Sequence, residues 1–221
     1  MICLLLSAIV LLGSPGAGKG TFAQEYKAKH PEVEHFSIGD WIRKEVKEKT
    51  PLGLEILEEM KKESFILNGY LLDEAFVQKI VAEKINEYTK QKKTFILDGF
   101  PRTLAQAQFL TRNLTEKTDY IYLTIDRNIA KERMLQRISC SACGRIYNMA
   151  TLPPKVEGEC DYCLMPLVKR DTDQEKVIDE RMKGFEEITQ KVIQFYMKEG
   201  KLFILDGSLP PNEIISLFEN L

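Results

Sequence analysis

The chain has 221 residues, 44% of them apolar and 29% charged, and 31 Lys+Arg against 33 Asp+Glu leave a formal net charge of −2. These figures exclude a disordered chain, a collagen and a membrane bundle. They also lack the basic excess that a nucleic-acid coat requires. The length predicts one core with room for an insert. The five cysteines are an odd number in a chain too long for a small disulfide scaffold.

Residues 1–12 read MICLLLSAIVLL. A membrane span needs about 20 apolar residues, and a signal peptide would carry a basic residue before this run. The expectation is a buried parallel-type strand over 4–12, behind a short extension. Residues 13–21, GSPGAGKGT, follow directly and lead into a helical pattern from Thr21. Gly13 to Lys19 is a G-x-x-x-x-G-K loop between a strand and a helix, the context a phosphate-binding loop requires. Glycines let backbone N–H groups turn inward around a phosphate, and Lys19 adds a point charge. The alternative is an ordinary strand-to-helix turn, which would not need four glycines and a lysine. Gly20-Thr21 replace the usual Ser/Thr after the lysine, so Thr21 or water is left to serve the metal side.

Further along, VEHF (33–36) reads as a strand, Asp40 to Lys49 as a helix, and Ala75 to Lys90 as a helix with Phe76, Val77, Ile80, Val81 and Ile85 at helical spacing. TFILD (94–98) is a strand ending in Asp98. In an open α/β sheet that end faces the ligand crevice, and an acid there can hold Mg²⁺ through water. Arg102 follows in a loop stiffened by Pro101, suited to clamp a phosphate. DYIYLTI (119–125) is another strand. Arg133 and Arg137, four apart, are read as sharing one helix face. Arg170 and Arg181 complete a set of guanidiniums of the kind phosphoryl transfer needs. Each could equally be a solvated surface charge.

From Cys140 to Lys169 the helical period is lost. Cys140-x₂-Cys143 and Cys160-x₂-Cys163 have the spacing of a zinc site. Two disulfides or four buried thiols are the rivals. Gly144 stands where a tight knuckle wants φ > 0. Four thiolates would close a tetrahedral shell, so the metal would be structural. Arg145, Lys155 and Lys169 balance Glu157, Glu159 and Asp161, which argues against a nucleic-acid-binding ribbon. Thr172 and Glu175 form a capping-box pattern, opening a helix that runs to Lys198 on a stripe of Val177, Ile178, Phe185, Ile188, Val192 and Phe195. LFILD (202–206) is the last strand. Strands alternating with helices predict an α/β fold with a parallel sheet.

Taken together, GSPGAGKGT at 13–21, FSIGDWIR at 36–43, LDGFPRTLAQA at 97–107 and KRDTDQEKVIDER at 169–181 resemble the adenylate kinase family of the long-lid, zinc-containing type. The resemblance covers nearly the whole chain after the N-terminal extension. It implies a P-loop nucleoside monophosphate kinase core (1–36, 73–135 and 174–221), a helical monophosphate-binding segment (37–72) and a zinc-binding lid (136–173). It implies transfer of a phosphoryl group from MgATP to AMP, giving two ADP. Gly16, Ala17, Gly18, Lys19, Gly20 and Thr21 would bind donor phosphates, with Arg137, Ile146, Tyr147 and Leu209 around the donor. Ile38, Arg43, Tyr70, Leu71, Leu72, Gly99, Phe100, Pro101, Arg102, Gln106, Arg170 and Arg181 would hold AMP, with Gln106 reading the base. Lys19, Arg102, Arg137, Arg170 and Arg181 would be catalytic, Asp98 would serve Mg²⁺ through water, and Cys140, Cys143, Cys160 and Cys163 would bind Zn²⁺.

Several positions depart from the family pattern. Ile38 replaces a usual Thr or Ser, Ile138 a second arginine after Arg137, Leu209 a frequent basic residue and Thr172 a frequent acid. UMP or CMP as acceptor, or GTP as donor, are therefore the alternatives. The expected partners are ATP and AMP alone, with no nucleic acid and no membrane, for a cytoplasmic monomer. Cys3 is left over as a small buried apolar side chain.

Overall fold

The computed structural model describes residues 8–62, 65, 72–114 and 117–221. Cys3, the first four residues of the expected 4–12 strand, Tyr70 and Leu71 lie outside this range.

Five strands form one parallel sheet: β1 (Ala8–Gly13), β2 (Glu34–Ser37), β3 (Phe95–Asp98), β4 (Thr118–Thr124) and β8 (Leu202–Asp206), in the order β2-β3-β1-β4-β8. β1 is apolar at every position before its closing glycine because both of its faces are covered. Ala8, Val10 and Leu12 pack on one side with Phe95, Leu97 and Tyr196. Ile9 and Leu11 pack on the other with Phe22, Ile96 and Ile215. The helices that supply these covers are α1 (Lys19–Lys29), α4 (Glu74–Lys90), α5 (Leu104–Asn113), α8 (Gln190–Lys198) and α9 (Pro211–Glu219), while α6 (Arg127–Leu135) and α7 (Glu175–Gly184) pack on each other through Ala130, Met134, Ile178 and Met182. From β1 the chain runs outward to β2 and β3, then crosses to β4. The switch leaves a crevice at the carboxyl ends of β1 and β3. That geometry sets the glycine loop beside Asp98.

Two pieces stand apart from this sheet. After β2 come α2 (Ile38–Glu48) and α3 (Pro51–Met60), each opened by a hydroxyl cap. Ser37 Oγ accepts from Asp40 N at 3.3 Å, and Thr50 Oγ1 accepts from Gly53 N at 2.9 Å. Between α6 and α7, β5 (Arg137–Cys140), β6 (Ile146–Asn148) and β7 (Leu167–Val168) form a separate antiparallel sheet in the order β6-β5-β7. Its apolar cluster is small, built on Cys140, Tyr147 and Cys160 with Ile138, Cys163 and Leu167 at its edge.

Three expectations are corrected. Arg133 and Arg137 do not share a helix face, because α6 ends at Leu135 and Arg137 opens β5. Thr172 is not a helix cap. Residues Asp171–Asp173 form a 3₁₀ turn, and α7 begins after Gln174, whose side chain caps nothing. The helix does run on to Lys198, but not on the expected stripe. A π turn over Phe185–Thr189 separates α7 from α8 and rotates the apolar stripe. The inward residues are Ile178, Met182, Val192, Ile193 and Tyr196, while Val177, Phe185, Ile188 and Phe195 are only half-buried.

Candidate active site

The loop from Gly13 to Lys19 curls under the end of β1. Gly16 has φ +84°, and a Cβ there would lie 2.4 Å from the Ala130 carbonyl oxygen, so no other residue fits without moving α6. Lys19 Nζ donates to the carbonyls of Gly13 and Ser14, both at 2.8 Å. Burial pushes its pKa down to about 8, against the pull of Asp98 and with help from neighbouring arginines. Gly16, Gly18, Gly20 and Thr21 line a cleft of about 360 Å³. Ala17 is fully buried and turned to the sheet.

Across this cleft Asp98 closes β3. Burial acts against its charge, but His35, Lys19 and Arg102 together more than offset it and hold its pKa below the usual carboxylate value. His35 Nε2 lies 3.9 Å from Asp98 Oδ2, too far for a direct hydrogen bond. Sequence reasoning passed over His35, and a lone histidine within a strand carries no signal of such a neighbour. The Phe100–Pro101 peptide is cis. Arg102 Nε donates to Gly99 O at 3.0 Å, while Arg102 N donates to Gln106 Oε1 at 2.8 Å. Gln106 is thereby anchored by its carbonyl oxygen. A small cavity beside it is lined by Ile38, Ile42, Leu72, Val77, Gly99 and Arg102. Phe100 is buried edge-on against Phe109.

Seven cationic side chains line the larger cleft: Lys19, Arg43, Arg102, Arg133, Arg137, Arg170 and Arg181. Among the described residues the carboxylates on its wall are Asp40 and Asp98, and Asp173, outside the wall, pairs with Arg137 and Arg181. Asp40 pairs with Arg43 and, at 3.3 Å, with Arg170. Asp173 is fully buried. It accepts from Arg137 Nε at 2.8 Å and Nη2 at 2.6 Å, and from Arg181 Nη1 at 3.4 Å. Burial and mutual repulsion bring the pKa of Arg170 down to about 10 and that of Arg181 to about 9. Both remain charged near neutrality. Like charges packed this closely, with too few carboxylates to balance them, call for a polyanion. Asp40 and Asp173 were not legible as site residues, since their partner arginines lie far along the chain. Arg133, expected on one helix face with Arg137, lies in α6 while Arg137 lies in β5. Its guanidinium donates to Gly207 O at 2.5 Å and Ser208 O at 2.9 Å, which ties α6 to the turn that carries Leu209.

The antiparallel sheet closes over this cleft. Ile146 Cδ1 would lie 2.7 Å from a Cβ on Gly20, so Ile146 sits on the first turn of α1. Tyr147 is among the residues that line the cleft, although its side chain is buried in the lid's own apolar cluster. Its hydroxyl is directed elsewhere, accepting from Asp161 N at 2.8 Å and lying 3.5 Å from Cys160 Sγ. The four cysteine sulfurs all lie within 4.8 Å of one another. Cys140–Cys163 is 3.3 Å, and Cys143 is 3.6 Å from both Cys160 and Cys163. Sulfurs around a tetrahedral ion with Zn–S bonds of about 2.3 Å stand roughly 3.8 Å apart. The cluster therefore has the size of a thiolate metal shell, and the sulfurs are too far apart for disulfides. Gly144 has φ +73°, as its place in the knuckle requires.

This fold and cleft define a class, the P-loop nucleotide phosphotransferases that close a lid over their substrates. Comparison with known proteins narrows it. Residues 11–201 match the family model described as adenylate kinase. The chain is 39% identical to the adenylate kinase of Thermosipho melanesiensis over 217 residues, covering 96% of this chain and 98% of that protein. It is 36% identical to the adenylate kinase of Fervidobacterium nodosum and 35% identical to that of Clostridium novyi, each time covering 96% of both chains. The chain belongs to the adenylate kinase family, and it is a phosphotransferase. Among the described residues no helix is long and apolar enough to cross a membrane.

Proposed function

We propose that the protein catalyses the reversible transfer of the terminal phosphoryl group of MgATP to AMP, giving two ADP. The observation that carries this reading is the convergence of Lys19 and six arginines on one cleft between a phosphate loop and an inserted lid. A migrating phosphoryl group spreads charge over its oxygens, so catalysis is mainly positioning and charge stabilisation.

In this reading the loop from Gly16 to Thr21 cradles the donor phosphates. Lys19 exchanges two backbone carbonyls for phosphate oxygens. Arg137 and Arg181 turn from Asp173, and Arg170 from Asp40, towards the phosphates in transit. Arg43 and Arg102 hold the acceptor phosphate. Gln106, with its carbonyl oxygen engaged, keeps its amide group for the acceptor base, beside Ile38, Leu72, Gly99, Phe100 and Pro101. Ile146, Tyr147 and Leu209 cover the donor. Asp98 would hold, through water, the Mg²⁺ that comes with ATP, which would supply charge to offset that of the phosphates. Lid closure excludes water, a competing acceptor. The four cysteines hold Zn²⁺, which stiffens the lid, in a monomer working in a reducing compartment such as the cytoplasm.

The decisive experiment is a coupled assay of ADP formation from ATP plus AMP. Lys19→Ala or Arg102→Ala is expected to abolish most turnover, and wild-type activity in either variant would overturn the site assignment. Ile38 puts a hydrocarbon where an acceptor base would meet a hydroxyl. A panel of AMP, UMP and CMP with ATP, and of GTP with AMP, tests the alternative specificities.

A further inference from the structure

The first knuckle of the lid is gripped from below by side chains that do not line the nucleotide cleft. Gln24 lies on α1, five residues after Lys19. Its Nε2 donates to Gly144 O at 3.1 Å, and its Oε1 accepts from Ile146 N at 3.0 Å. One carboxamide thus satisfies the two backbone groups flanking Arg145, as a residue of a neighbouring strand would. Arg145 itself pairs with Glu25, the next residue of α1, at 2.9 Å. From α2, Lys47 donates to Ser141 O at 2.8 Å.

The consequence runs along the lid sheet. Ile146 is the register partner of Ser139. Ser139 Oγ accepts from Arg170 Nε at 3.2 Å. Two residues back along the same strand is Arg137, which faces Asn148. A side chain that fixes Ile146 against α1 therefore fixes the strand pair that carries Arg137 and braces Arg170, and α1 is the helix that carries Lys19.

We propose that Gln24 is a positioning residue for the transfer. By hydrogen-bonding the Gly144–Ile146 backbone it sets the closed lid at the height where Arg137 and Arg170 meet the phosphates held by Lys19. This rests on the phosphotransferase reading. Gln24 touches no substrate. Its effect falls on the open–closed balance, so it is felt in apparent nucleotide affinity more than in turnover once the lid is filled.

Gln24→Met keeps length and helix propensity but removes both hydrogen bonds. Gln24→Glu keeps the acceptor for Ile146 N–H and loses the donor to Gly144. Losing two hydrogen bonds that form only on closure is expected to raise the KM for ATP about tenfold in the Met variant, with kcat within about threefold. The Glu variant is expected to fall between. Amide exchange at Ile146, measured with a non-hydrolysable ATP analogue and AMP bound, is expected to accelerate in the Met variant and much less in the Glu variant. The thermal midpoint is expected to move by less than about 2 °C. An unchanged KM, an unchanged Ile146 exchange rate, or a KM change accompanied by an equal loss in kcat or a larger drop in thermal midpoint would each overturn the proposal. If the wild-type protein forms no ADP, the reaction assignment fails, while Ile146 exchange still reports on the grip.

Discussion

Asp173 illustrates how much depends on one side chain. It is fully buried, and its partners Arg137 and Arg181 are largely so. Replacing it with asparagine leaves two guanidiniums facing each other across a neutral amide. Breaking a buried pair in this way costs about 3–5 kcal/mol. The Asp173→Asn protein is expected to lose stability of that order without ligand and to recover part of it with saturating nucleotide, whose phosphates replace the missing charge. Denaturant unfolding with and without ATP checks both halves. A variant as stable as the parent without ligand would show that the arginines are solvated. Lys19 gives a second expectation, with opposite signs for stability and binding. Its pKa is about 8 in the folded protein, against 10.5 ordinarily. Between those values the unfolded chain holds a proton that the folded one has released, so this residue makes stability rise with pH across the window. Donor binding needs the charged form, so affinity is expected to fall above about pH 8 with proton uptake on binding. Calorimetric titration of ATP at two pH values, in buffers of different ionisation enthalpy, measures both. A pH-independent affinity would contradict the buried charge.

At the level of elements, the sequence was readable wherever burial is uniform. β1, β3 and β8 announce themselves as short apolar runs closed by Gly or Asp, and the glycine loop by its spacing. α4 shows its period because one face meets the core. What escaped was structure decided by distant partners. The Thr172–Glu175 pattern reads as a capping box, yet Asp173 must turn inward to reach Arg137, and a 3₁₀ turn is what allows it. The helix start moves to Gln174, which is exposed and leaves the first N–H groups without a side-chain cap. Gln174→Ser supplies that cap and is expected to stabilise the protein by about 1 kcal/mol, a rise of roughly 2–4 °C in thermal midpoint. No rise, with α7 intact by amide exchange, would mean that water already serves those groups. Likewise the π turn at Phe185–Thr189 shifts the helical phase, which a strict 3.6 period cannot anticipate.

For the whole molecule, the question is how a lid with so small a core stays folded and how its folding reaches the chemistry. Its apolar cluster has three buried members, two of them cysteines. Residues this few cannot offset the entropy of ordering the insert. A metal ion held by the four cysteines would supply the difference, and its binding free energy would then be folding free energy. The sequence carried this much in the four-cysteine spacing. It carried nothing of the knuckle's dock on α1 and α2, because Gln24, Glu25 and Lys47 look like ordinary solvated helix residues. With that dock in view, removing the metal is expected to do more than lower stability. Calorimetry after chelation should resolve a separate low-temperature transition for the lid, while the transition of the five-stranded core stays in place. Below that first transition the ATP KM is expected to rise, since a slack knuckle offers Gln24 and Lys47 no fixed carbonyls. Metal content measured before and after chelation keeps the comparison honest. A single unchanged transition in metal-free protein would show that the lid holds itself together without an ion. An unchanged KM in protein whose lid transition has dropped would sever the knuckle from closure.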